Sequence, residues 1–301
     1  MNDTAIWSGS GLIILDKPRG PSSHQVTAWV GSLLGCHTGH SGTLDPQVSG
    51  VLLIMLGNAV RLAPLLLRHD KEYVCLMRLQ GDIETGRLKN VMQEFTGRIY
   101  QRPPKKSAVK RNLRIRTIQS LEILSVEGRL VLFRVRCDAG TYIRSLCHHI
   151  GIALGIGAHM EELRRIRSGP FDELRSHSLH EFTDACTRAR AGDPGPLRKM
   201  ILAVDEIVPD LPKIEIRDSA VDALCHGAQL AAVGIIHCDP FRKDDLVAII
   251  TRAGEFVCLG RGIVSSTEFR PGDTGIVVSP HTVFMRPGTY PKGWKKHTKT
   301  E

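Results

Sequence analysis

Apolar residues along this chain fall into short runs of two periods. Residues 11–15, Gly-Leu-Ile-Ile-Leu, form an unbroken run that closes on Lys17-Pro18-Arg19-Gly20-Pro21, which predicts a short buried strand. Ser22 and Gln25 then make a capping-box pair, and Val26, Val30, Leu33 and Leu34 recur on one helical face until Gly35. A Gly-rich loop over 38–46 leads to the apolar run 51–56. Residues 71–79 alternate as a strand with Tyr73, Cys75, Met77 and Leu79 on one side. Leu88, Val91, Met92 and Phe95 mark an amphipathic helix that stops at Gly97. Residues 121–125 and 131–137 predict a hairpin about Glu127-Gly128, and Ile143, Leu146, Cys147, Ile150 and Leu154 a helix ending at Gly155. The pattern over 160–167 fits a helix and a strand equally.

Strands and helices mix without a repeating strand–helix–strand order, so the pattern predicts an α+β sheet rather than a doubly wound one. The segment 189–196 holds Gly192, Pro194, Gly195 and Pro196, with Pro209 and Pro212 beyond, which places a domain boundary near 210. After it, 246–251, 255–259 and 274–278 read as short strands of a small β-rich domain. The end, 292–299, is a basic tail with nothing to bury, expected to be mobile. A length of 301 residues suits two domains. The apolar run 51–56 is far short of a bilayer span, and the acidic start Met1-Asn2-Asp3 does not resemble a secretory signal. These features predict a cytoplasmic chain with no membrane partner.

Charge sharpens the picture. Lys and Arg number 40 against 31 Asp and Glu, a net of +9, and the excess is concentrated. Arg98, Arg102, Lys105, Lys106, Lys110, Arg111, Arg114 and Arg116 lie in one stretch without an acid among them. Such a strip suits a polyanion partner, or it is a solvated basic loop. The cysteines at 36, 75, 137, 147, 186, 225, 238 and 258 never form C-x-x-C, and several sit inside apolar alternations. They read as small hydrophobes in a reducing compartment. His37 and His40 beside Cys36 and Asp45, and Cys147-His148-His149, lack the helical spacing of a hydrolase metal site, and no metal is expected.

Three residues stand out chemically. Asp45 precedes a proline in a loop with Gly39, Gly42 and Gly50 around it. It is either a turn former or a carboxylate, nucleophile or base, on a loop whose glycines let a large ligand approach the backbone. Arg144, in the first turn of the 143–154 helix, is either a solvated residue or a clamp that keeps a carboxylate ionised and oriented. Tyr73 is either strand packing or a platform for a nucleobase.

Leu15-Asp16-Lys17-Pro18-Arg19-Gly20-Pro21-Ser22-Ser23, Gly39-His40-Ser41-Gly42-Thr43-Leu44-Asp45-Pro46, Lys71-Glu72-Tyr73, Gly140-Thr141-Tyr142-Ile143-Arg144-Ser145-Leu146 and Ala158-His159-Met160-Glu161-Glu162-Leu163-Arg164-Arg165 together resemble the TruB/dyskerin family of pseudouridine synthases, in family order. The resemblance covers about residues 11–180, and 211–287 is similar to a PUA domain. It implies a mixed, largely antiparallel sheet flanked by helices as catalytic domain over 1–208, a small β-rich PUA-like RNA-binding domain over 209–290, and the tail 291–301. It further implies that Asp45 is the catalytic aspartate, Tyr73 the residue stacked on the target uracil and Arg144 the partner of the aspartate. Lys17, His40 and Leu163 fall on residues that line or support the pocket. The interval from Tyr73 to Tyr142 is short for the stand-alone bacterial branch and holds Gln101-Arg102-Pro103-Pro104-Lys105-Lys106-Ser107-Ala108-Val109-Lys110-Arg111. That resembles the archaeal and eukaryotic branch, which works with an H/ACA guide RNA and small partner proteins, and the compact length leans archaeal.

The reaction so implied breaks N1–C1′, turns the base and forms C5–C1′ in a uridine of tRNA (position 55 of the TΨC loop), of rRNA, or of both. No atom is gained or lost and no redox change occurs, so no cofactor is expected. Asp45 serves as nucleophile or as base at C2′, Tyr73 holds the extruded ring, and the basic strip from Arg98 to Arg116 holds phosphates. The competing expectation is a non-catalytic RNA-binding scaffold in which Asp45 only shapes a turn.

Overall fold

The computed structural model describes residues 5–102 and 112–292. The chain divides into two compact units, Met1–Ile201 and Leu202–Glu301. In the first, strands β1 (Gly11–Lys17), β2 (Thr38–Ser41), β3 (Ser49–Leu56), β4 (Lys71–Leu79), β5 (Gly97–Gln101), β6 (Arg114–Glu127), β7 (Leu130–Cys137) and β8 (Ala158–Ser168) build one sheet. Its main path runs β1-β3-β8-β4-β7-β6-β5, with β2 paired to β3. Every one of these pairings is antiparallel except β3 with β8, which run parallel over Ser49↔Arg164 and Gly50↔Arg165. Helices α1 (Ser23–Leu34), α2 (Ala63–Arg68), α3 (Thr85–Glu94), α4 (Ile143–Leu154) and α5 (Leu179–Arg190) flank it.

Local signals set the helix ends. Ser22 accepts from the Gln25 N–H while Gln25 accepts from the Ser22 N–H, closing the capping box that starts α1. Gly35 (φ 69°) and Gly155 (φ 77°) end α1 and α4 in the left-handed conformation that glycine adopts without strain.

The core of this unit has two parts. Val26, Val30 and Leu34 of α1 pack with Phe182 and Cys186 of α5 on the β1–β3 side. Leu88 and Met92 of α3 pack with Ile143, Leu146 and Ile150 of α4 on the β4–β7 side. Tyr73 on β4 and Leu163 on β8 touch both clusters and therefore mark their seam.

Two segments differ from the sequence pattern. The ambiguous 160–167 is strand, the interior of β8, hydrogen-bonded to both β4 and β3. Register shifts at Glu72/Tyr73 and Leu76/Met77 interrupt its alternation, which is why no clean period of two was visible. The Gly-rich 38–46 is only partly loop: Thr38–Ser41 pairs with β3, Thr38 opposite Leu56 and His40 opposite Ile54.

The second unit holds a six-stranded sheet whose longer strands are Lys213–Ile216, Ile235–Cys238, Leu246–Thr251, Phe256–Gly262 and Ile276–Val283. Ile214, Val247, Ile249, Val257 and Val278 fill its core with Val221 and Leu224 of the helix Asp218–Cys225. Among the described residues no helix is long and apolar enough to cross a membrane.

Candidate active site

Asp45 stands on the loop between β2 and β3, held from both sides. Ser23 Oγ, at the start of α1, accepts from the Leu44 N–H (2.8 Å) and donates to the Leu44 carbonyl (2.9 Å). Leu44 and Val48 are buried on either side of the aspartate, and the Val48 N–H donates to the Asp45 carbonyl (2.9 Å). The Asp45 backbone is thus a turn, while its side chain is left to face outward.

Lys17 closes the loop from beneath. Fully buried at the end of β1, its ammonium donates to the carbonyls of Pro18 (2.7 Å), Pro21 (2.8 Å) and Pro46 (3.5 Å). Burial lowers its pKa, and the charge of Asp45 opposes that shift, so the ammonium lies within electrostatic reach of the carboxylate.

Arg144 comes from the first turn of α4. Its Nη2 donates to Asp45 Oδ2 at 2.6 Å, across 99 positions of sequence. The two side chains are 52% and 58% exposed, so the pair lies at an open surface. An exposed pair of this kind adds about 0–1 kcal/mol to stability, and orientation is what it supplies.

The helix bearing Arg144 is aimed by two contacts absent from the sequence expectations. Gln101, almost wholly buried, accepts from the Tyr142 N–H (2.9 Å) and donates to the Tyr142 carbonyl (3.1 Å). Asp138 accepts from the Thr117 N–H (2.7 Å) and, through its own carbonyl, from Thr141 Oγ1 (2.7 Å).

Tyr73 is half-buried at the seam of the two clusters, and the Asp45 charge acts on its hydroxyl. Burial raises its pKa, against which the Arg165 guanidinium, directly opposite on the neighbouring strand, pulls downward, so the phenol stays protonated at neutral pH. Leu163 lies in register with Cys75 on the strand beside it. His40 sits between hydroxyls, Nδ1 3.1 Å from Thr27 Oγ1 and Nε2 3.2 Å from Thr43 Oγ1. Burial, the His24 ring at 4.8 Å and Arg165 lower its pKa and keep it neutral, a structural pin for the loop. Among the described residues no group of three or more His, Cys, Asp or Glu is placed to hold a metal.

Lys17, Asp45, Tyr73 and Arg144 are therefore brought together, with His40 and Leu163 in support. Sequence reasoning overlooked two buried cations beneath them, Lys71 and Arg165. The phase of each strand carried the signal: Lys71 falls on the Tyr73–Cys75–Met77 face and Arg165 on the Leu163 face. Two of the glycines around Asp45 also make room within the protein. A Cβ on Gly42 (φ +74°) would meet the Arg165 guanidinium at 3.1 Å, and one on Gly50 (φ +102°) would meet the Arg165 carbonyl at 2.1 Å. They admit a neighbouring strand and its side chain.

The described part of the basic strip is divided between two faces of the β5–β6 pair. Arg98 and Arg116 lie on adjacent antiparallel strands, but Arg98 faces Thr117, whereas Arg116 faces Ile99 and Arg114 faces Gln101. Opposed residues share a face, so Arg98 and Tyr100 lie on one side and Arg114 and Arg116 on the other, with Arg102 just past the end of β5. Lys105, Lys106, Lys110 and Arg111 lie outside the described residues, as does most of the basic tail.

Comparison with known proteins agrees with this geometry. Residues 33–143 match the N-terminal domain of TruB family pseudouridylate synthases, 144–209 the tRNA pseudouridylate synthase B C-terminal domain and 212–284 the PUA domain. The chain is 49% identical over 289 residues to the "Probable tRNA pseudouridine synthase B" of Methanosarcina barkeri, covering 95% of this chain and 86% of that protein. It is 50% identical over 294 residues to the protein of the same name from Methanopyrus kandleri, covering 97% and 87%. Two solved structures are similar throughout. One is an H/ACA RNP bound to a substrate RNA containing 2′-deoxyuridine (TM-score 0.84, 47% identity, 94% of this chain and 88% of that one). The other is a Cbf5-Nop10-Gar1 complex (TM-score 0.83, 50% identity, 94% and 87%).

Proposed function

The chain belongs to the TruB family of pseudouridine synthases, and from that premise we propose which RNA it takes and which residues act on it. The substrate is a uridine in a folded RNA: the tRNA TΨC-loop uridine at position 55, an rRNA uridine selected by an H/ACA guide, or both. Similarity to an H/ACA RNP and to a Cbf5-Nop10-Gar1 complex supports a guide RNA and small proteins as partners. We assign catalysis to the first unit and RNA holding to the PUA-like second one, with Arg98, Arg102, Arg114 and Arg116, together with Lys105, Lys106, Lys110 and Arg111, on phosphates. A cytoplasmic setting accords with eight free thiols.

In this reading Asp45 is the reactive carboxylate. Arg144 engages Oδ2, which leaves Oδ1 to address the ribose, either at C1′ as nucleophile or at C2′ as base. Tyr73 stacks against the extruded uracil and keeps the detached ring from leaving while it turns. The C5 proton departs as C5–C1′ forms and N1 takes one up, so the atoms balance without a cofactor. RNA closing over the exposed pair expels water and strengthens the Arg144–Asp45 contact. Lys17, His40 and Leu163 hold the loop and wall in place.

One observation carries this reading: the 2.6 Å bond between Arg144 and Asp45 from distant parts of the chain. The test is Asp45→Asn on a tRNA transcript, then with guide RNA and small partner proteins added. RNA affinity is expected within about twofold of the parent, with product formation reduced at least about 10³-fold. Pseudouridine formed at the parent rate removes Asp45 from the chemistry.

A further inference from the structure

Arg165 is one of the largest fully buried side chains of the molecule, at 1% exposure, and no carboxylate pairs with it among the described residues. Removing a guanidinium from water without an anion opposite is strongly unfavourable unless its donors are all matched. Here its partners are three. Nε donates to the Val51 carbonyl of β3 (2.7 Å), and Nη2 to the Gly42 carbonyl (2.8 Å), three residues before Asp45. Tyr73 lies directly opposite Arg165 on the adjoining strand β4, and the guanidinium acts electrostatically on its hydroxyl. An apolar residue of similar volume would fill the seam without the desolvation, so packing alone does not account for an arginine. The backbone is shaped around it as well, since Gly42 sits where a Cβ would meet its Nη1 at 3.1 Å.

We propose that Arg165 is a positioning residue for the isomerisation: one buried guanidinium ties the Tyr73 hydroxyl, the Asp45 loop and β3 into a single rigid unit, so that the stacked ring and the carboxylate address the same nucleotide. The planar fork suits this task because it fixes its acceptors in one plane, whereas an ammonium has no such preferred geometry. This inference rests on the assignment of Asp45 and Tyr73 made above.

The experiment compares parent, Arg165→Lys, Arg165→Met, Tyr73→Phe and the Arg165→Lys/Tyr73→Phe double variant. Each is assayed by single-turnover tritium release from a tRNA transcript carrying C5-tritiated uridine, with guide RNA and small partner proteins if the parent needs them. Rates are expressed per folded molecule, and RNA affinity is measured separately. Arg165→Lys is expected to bind RNA within about twofold of the parent and to react about 10²-fold more slowly, the loss typical of an angstrom-scale misplacement. The double variant is expected to lose less than the product of the single losses, because both changes disrupt the same cross-strand contact. Unchanged rates per folded molecule in both Arg165 variants would overturn the proposal. So would losses that multiply independently, or a rate that falls only as RNA affinity falls. A parent inactive on every RNA would instead sink the assignment of substrate, a result distinct from any of these.

Discussion

Lys71 and Arg165 set two cations close together beneath the site, and their protonation differs in consequence. Burial chiefly, with Arg165 adding repulsion, lowers the Lys71 pKa from 10.5 to about 8. Its ammonium donates to the carbonyls of Leu66 (3.3 Å), Leu67 (3.5 Å) and His69 (2.6 Å), where α2 ends. An amine whose pKa is lowered on folding holds its proton less tightly in the folded than in the unfolded chain. Between about pH 8 and pH 10.5 the unfolded chain therefore carries more protons, and stability rises with pH. Relative to Lys71→Met, the parent should gain up to about 3 kcal/mol across that window. Denaturant titrations of both proteins at its two ends check this, and a parent that loses ground to the variant as pH rises would contradict it. Lys71 was legible as half of a motif but not as a buried charge. In a strand pattern a lysine at the first position reads as an exposed end, and only α2 folding over it removes the water.

At the scale of elements, the β5–β6 hairpin shows how a linear charge run is divided by a pleat. Arg98 and Tyr100 present a cation and an aromatic on one side, Tyr100 63% exposed, and the exposed Arg102 follows just past the strand end. Gln101, one residue out of phase, turns inward to hold the N-terminus of α4. Replacing both Arg98 and Arg102 by Gln should lower the slope of log K against log salt for RNA by about 1.4–1.8, the range for two lost phosphate contacts, while leaving the Gln101 contacts and the melting temperature unchanged. Binding isotherms across a salt series measure it, and an identical slope would place these arginines off the RNA path. Legibility at this scale followed locality. The Ser22–Gln25 box and Gly35 bounded α1 within the sequence itself. The identity of β8 depended on partners 79 to 97 positions away on β4, because its bulges hid the alternation that would have declared it.

Across the whole molecule, thiol chemistry reports on packing in both units at once. Cys75, Cys137, Cys147, Cys186, Cys225 and Cys258 are buried, while Cys36 and Cys238 are partly accessible. Burial pushes the Cys137 and Cys258 thiols up to about 12, which removes the reactive thiolate at neutral pH. Mild alkylation followed by mass mapping should mark Cys36 and Cys238 first, with the other six modified only as their unit unfolds. Early labelling of Cys75 or Cys147 would show that the core beside Tyr73 opens locally. The sequence by itself determined the two-part organisation, the helices with marked ends, and the set of residue types offered for chemistry, since period, capping and turn composition are properties of neighbours along the chain. Resemblance implied that Arg144 partners Asp45, but only the tertiary structure decided the geometry of that contact, that Lys71 and Arg165 are buried, and that Gly42 makes room for a side chain of the protein itself. Those outcomes depend on which strands lie side by side, and pairing between distant segments is set by the burial of the whole core rather than by any local pattern.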